Sequence, residues 1–124
     1  MRLSKLHFDR AVEKALERIP QVIRKGMQNL VVCVEQRPSV ALLAEMGLEA
    51  DETLFGLYTG TPLPERSMTE PPLYPDEIVI FREPLLQACR SLAELEEEIE
   101  ITVVHEVAHY LGFDEDQLAE LGYD

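Results

Sequence analysis

The stretch Val103-Val104-His105-Glu106-Val107-Ala108-His109-Tyr110-Leu111-Gly112 decides how the rest of this chain is read. Its apolar positions recur at spacings of three and four, the pattern of a helix with one buried face. On such a helix residues i and i+4 share a side, so His105 and His109 point the same way. Two imidazoles so placed can bind one metal ion. Zinc is the usual one, because it accepts nitrogen ligands in tetrahedral geometry. Glu106 lies about 100° around the helix from His105, beside the ion rather than on it. A carboxylate in that place can take a proton from metal-bound water, which is general-base chemistry for hydrolysis. Gly112 then supplies the left-handed residue that ends a helix and turns the chain back.

A catalytic zinc site ordinarily has three protein ligands and a water. Downstream of the glycine come Asp114, Glu115 and Asp116. Glu115 is ten residues after His105, the position at which His-Glu-x-x-His-x-x-Gly-x-x-His proteases place their third histidine. It is the first choice for the third ligand, with Asp116 and Asp114 as alternatives. A carboxylate donates more negative charge than an imidazole, so it predicts a weaker Lewis acid, and hence a slower hydrolase or a site tuned to another divalent ion. His7 is the only histidine outside the motif; just ahead of an amphipathic stripe, it is read as a solvated or capping residue before a ligand. Residues 114–122 read as one or two closing helical turns.

Upstream, Leu92, Leu95, Ile99, Val103, Val104, Val107, Ala108 and Leu111 form one apolar stripe. Glu94, Glu96, Glu97, Glu98 and Glu100 crowd its N-terminal half, where carboxylates suit the helix dipole. Ile101-Thr102-Val103-Val104 has low helix propensity, so two alternatives stay open, one helix running from Leu92 or a helix that starts near there after a break, with the motif helical on either view. Residues 8–19 carry another helical stripe, closed by Pro20, with a short second helix over 21–26. Apolar β-branched or aromatic runs at 29–35, 54–60 and 77–82 predict three strands. Residues 39–47 predict a short helix between a serine cap and a glycine stop, and Glu83-Pro84 opens another. Residues 60–76 contain five prolines, which forbid a helix and most strand pairing. They read as a long loop, either a wall of the cleft or a connector.

At 124 residues the chain is expected to form a single domain over 1–124. Its net charge of −13, from 11 basic and 24 acidic residues, repels nucleic acid and anionic membranes and sets both aside as partners. No apolar run approaches a membrane span, and the opening residues lack the apolar core of a signal peptide. Cys33 and Cys89 stand apart in apolar surroundings, as free thiols in a reducing cytoplasm do.

The chain resembles a family of small bacterial proteins, the minimal zincins or zincin-like metallopeptidases. The resemblance rests on residues 54–63 (Leu-Phe-Gly-Leu-Tyr-Thr-Gly-Thr-Pro-Leu), on residues 75–82 (Pro-Asp-Glu-Ile-Val-Ile-Phe-Arg), and above all on His105 to Glu115, closed by Glu120-Leu121-Gly122-Tyr123. It implies an α+β fold in which a small sheet of three to four strands packs on the motif helix and flanking helices. It also implies zinc on His105 and His109, Glu106 as the base, an acidic residue at the third-ligand position matched by Glu115, and peptidase activity. The chain shows no Met-turn region after the motif and no separate C-terminal subdomain to form a far cleft wall.

Together these readings predict a cytoplasmic zinc-dependent hydrolase acting on a peptide or protein. The substrate would add to a sheet edge within 54–59, and Tyr58, Tyr74, Tyr110 or Arg66 would stabilise the oxyanion. Two other expectations stay open: a metal site that only ties the C-terminal turn to the helix, and an interaction module with a vestigial motif.

Overall fold

The computed structural model describes residues 1–49, 54–60 and 76–123. Among these are six α-helices, one 3-10 turn and a three-stranded sheet, an α+β arrangement organised on the motif helix. In chain order the elements are α1 (Lys5–Glu17), α2 (Gln21–Arg24), β1 (Leu30–Glu35), α3 (Val40–Glu45), β2 (Gly56–Thr59), β3 (Asp76–Phe81), α4 (Arg82–Ala88), α5 (Leu92–Tyr110) and α6 (Glu115–Glu120). The proline-rich loop, with Arg66 and Tyr74, lies outside the described residues.

Helix α5 starts where Ser91 accepts the Glu94 N–H through its hydroxyl, at 3.1 Å, replacing a bond the first turn cannot make internally. It then runs unbroken for 19 residues. Of the two alternatives at residues 101–104 the continuous helix is the one formed, and the energetics explain why. The weak helix formers there cost at most about 0.7 kcal/mol each. Val103 and Val104, however, are fully buried, and each such side chain contributes about 1.5–3 kcal/mol. Packing therefore overrides propensity. Leu95, Ile99, Val107 and Ala108 are buried on the same helix.

Two layers receive that apolar surface. Helix α1 contributes Phe8, Ala11, Val12 and Ala15, spaced by three and four. It starts earlier than its stripe suggests, because Ser4 caps it by accepting the His7 N–H. The sheet adds Ile78 and Ile80, and Ile23 of α2, Leu85 of α4 and Leu118 of α6 join the core. The strand order is β1-β3-β2, with β1 parallel and β2 antiparallel to the central β3. Alternation along β3 directs Asp76, Ile78 and Ile80 into the interior, as a period of two requires. Glu77 is left exposed.

Strand β2 lies very close to α5. A Cβ added to Gly56 would stand 2.7 Å from the Thr102 methyl and 3.1 Å from the Val79 carbonyl oxygen. The glycine therefore sets the sheet-to-helix distance, and through it the position of Tyr58 two residues on. Gly56→Ala is expected to lower stability by about 1–3 kcal/mol, the usual cost of overpacking, read as a lower urea midpoint at unchanged slope.

Candidate metal centre

Two consecutive turns set the geometry of the motif. Helix α5 ends with Gly112 at φ 83°. There the Phe113 N–H donates to the Ala108 carbonyl at 2.8 Å and the Gly112 N–H to that of His109 at 3.1 Å. This paired closure needs a left-handed residue, and glycine adopts that conformation without a Cβ penalty. Asp114 then caps α6. Its Oδ1 accepts the Gln117 N–H at 2.8 Å, while Gln117 Oε1 accepts the Asp114 N–H at 2.9 Å, a reciprocal capping box. Helix α6 ends the same way as α5, with Gly122 at φ 90° and the Tyr123 N–H donating to the Leu118 carbonyl at 3.0 Å.

The first turn brings Glu115 beside the motif. Its Oε1 is 3.8 Å from His109 Nε2, with both side chains exposed. Asp114 is committed to its cap, so among the three acidic candidates Glu115 is the carboxylate that meets a motif histidine. The His105 and His109 rings stand 6.4 Å apart between centroids, inclined at 70°. His105 Nε2 lies 2.8 Å from the Tyr123 carbonyl oxygen. A carbonyl can only accept, so Nε2 is the donor in this contact. Among the described residues no three histidine, cysteine or acidic side chains close into a ready cage. The donor types nonetheless fit zinc: two imidazoles one turn apart on a helix, and a carboxylate already within 4 Å of one of them.

Glu106 is half-buried, beside β2. Burial is the main influence on it and raises its pKa above the ordinary glutamate range. The Tyr58 backbone N–H, which donates to its carboxylate, and the two histidines oppose that rise. The Tyr58 ring stacks on Tyr110 at 4.7 Å and 18°. Its hydroxyl donates to Asp76 Oδ2 at 2.5 Å, and burial together with that bond holds the phenol well above its usual pKa. Behind His105, the Tyr123 hydroxyl donates to Glu100 Oε2 at 2.5 Å, and Glu100 Oε1 pairs with Arg18 Nε at 2.8 Å.

Sequence reading names the two histidines, Glu106 and Glu115, and names Tyr58 only for the oxyanion; the contacts of Tyr58 with Asp76 and of Tyr123 with Glu100 and His105 are found in the structure alone. His7 instead serves α1, with its Nδ1 2.8 Å from Ser4 Oγ. Of the residues proposed for the oxyanion, the Tyr58 hydroxyl is already bound to Asp76. Cys89 is buried, Cys33 is half-buried, and neither is bridged.

The family model described as zincin-like metallopeptidase matches residues 27–123. No curated protein matches the chain. Among solved structures, a conserved hypothetical protein from T. thermophilus is similar at 20% identity and a TM-score of 0.55, covering 98% of this chain and 100% of that one. At that identity the likeness is one of fold.

The raised Glu106 pKa has a stability consequence in the metal-free protein. Below the ordinary glutamate range the group is protonated in both folded and unfolded chains and contributes nothing. As pH rises, the unfolded chain loses its proton first, so the folded state is progressively penalised until its own pKa is passed. Glu106→Gln is therefore expected to raise the melting temperature at neutral pH, the gain fading as pH falls through the carboxylate range. Thermal scans of both proteins across pH check this.

Proposed function

We propose that this chain, which belongs to the zincin-like metallopeptidase family, is a zinc-dependent peptidase with Glu106 as its general base. The observation that carries this reading is the setting of Glu106: a half-buried carboxylate between two histidines, held from β2 by a backbone N–H. His105, His109 and Glu115 would hold the ion. Zinc, when bound, supplies Lewis acidity toward a scissile carbonyl and lowers the pKa of water.

Burial makes Glu106 a stronger base than a solvated glutamate, because desolvation disfavours its charged form. It takes the proton of the attacking water and passes it to the leaving amine. With one lone pair engaged by the Tyr58 N–H, it keeps others for that proton. Among the described residues β2 pairs only with β3, so its outer edge, apart from the Tyr58 N–H held by Glu106, offers backbone groups to an extended peptide. That edge supports a peptide or protein substrate. The acidic surface favours a cationic one on encounter. No helix among the described residues is long and apolar enough to cross a membrane.

The His105–Tyr123 contact supports a second reading, in which the ion pins the C-terminal turn to α5 without catalysis. Elemental analysis separates the readings when paired with peptide-library hydrolysis. Protein purified without chelator or histidine tag is expected to carry about one zinc per chain, as a single site requires, and His105→Ala to lose it. Glu106→Gln is expected to keep the zinc and lose about 10²–10⁴-fold in hydrolysis. A chelator-induced drop in melting temperature with no peptide cut would favour the second reading. Absence of zinc after reconstitution would overturn both.

A further inference from the structure

Asp76 is the one buried charged residue among the described residues, 6% exposed. A carboxylate is costly to bury unless it is hydrogen-bonded, so its placement calls for a reason. In the β2–β3 register Tyr58 lies opposite Ile78. Asp76, two residues earlier on β3, is thus its diagonal neighbour on the interior face. The bond from the Tyr58 hydroxyl, at 2.5 Å, has the length of a strong charge-assisted contact. Gly60 makes room for it, since a Cβ there would collide with the Asp76 carboxylate. The Asp76 N–H donates to the Asn29 carbonyl at 3.2 Å, tying this anchor to the chain just before β1.

Tyr58 is therefore fixed at three places. Its hydroxyl is on Asp76, its ring lies flat on Tyr110, and its backbone N–H is on Glu106. Only the last contact touches the proposed chemistry, and the other two determine where it falls. We propose that Asp76 is a positioning residue for the general base: by gripping the far end of the Tyr58 side chain, it holds β2 so that the Tyr58 N–H meets the Glu106 carboxylate in one orientation. The role as a base rests on the peptidase reading, whereas the mechanical link does not.

The test separates the two. In metal-free, isotope-labelled protein, the Tyr58 amide proton shift reports its bond to residue 106. Glu106→Gln is expected to move that resonance strongly in the wild-type background. In Asp76→Ala and in Tyr58→Phe backgrounds, each of which removes the bond from the Tyr58 hydroxyl, the movement is expected to fall to less than half, with helix content unchanged by far-ultraviolet circular dichroism. Should Asp76→Ala fail to fold, Tyr58→Phe removes the same bond by deleting one hydroxyl. In zinc-loaded protein both variants are expected to lose about 10–100-fold in kcat at unchanged KM, the usual cost of removing a supporting residue. An equal shift in all backgrounds would overturn the proposal whatever the activity. A coupling that depends on Asp76, in a wild-type protein that cuts no peptide, would uphold the link and sink the peptidase reading alone.

Discussion

A single helix has to bury six side chains against two different layers, and that constraint shapes everything else in this chain. Leu95, Ile99, Val103, Val104, Val107 and Ala108 face α1 and the sheet. What remains of α5 near its C-terminal end is a narrow arc holding His105, Glu106 and His109. The buried positions alternate with these, so the backbone carrying the reactive groups is fixed by the core itself. A site built on such an element keeps its geometry better than one carried on loops. The low helix propensity of residues 101–104 is tolerated because burial outweighs it.

The helical part of this architecture is legible in the sequence because its signals are local. The stripe on α5, the caps at Ser91 and Ser39 and the stop at Gly112 lie within a turn or two of what they control. The sheet is less so: strands are visible as apolar runs, but nothing in β1 announces that it runs parallel to β3, which lies far along the chain. The candidate site divides the same way. His105, Glu106, His109 and Glu115 follow from spacing along one helix and the turn after it. The pairings of Tyr58 with Asp76, of Tyr123 with Glu100 and of His105 with the Tyr123 carbonyl do not, because the partners lie 18 or more residues apart. The run Asp114-Glu115-Asp116-Gln117 does carry a capping pattern, which reading it as three rival ligands obscures.

Charge adds a second layer of order. Arg18 at the end of α1 neutralises part of the acidic half of α5 through Glu100, and Glu100 in turn holds the Tyr123 hydroxyl. A chain of contacts thus runs from the first helix, through the most acidic stretch, to the residue whose carbonyl faces His105. A net charge of −13 also raises the local concentration of divalent cations around the molecule.

The two glycine-closed turns after α5 work as a ruler. Each is set by backbone hydrogen bonds at fixed intervals, so the span from His109 to residue 115, and onward to Tyr123, is measured out by the main chain, with Leu118 anchoring it in the core. The donor at 115 can then be exchanged without moving its Cα, since its side chain is exposed and caps nothing. Histidine, aspartate or cysteine there would present harder or softer donors at one unchanging reach. On the proposed zinc reading, residues 111–123 would be a socket for retuning metal preference, with a single interchangeable pin.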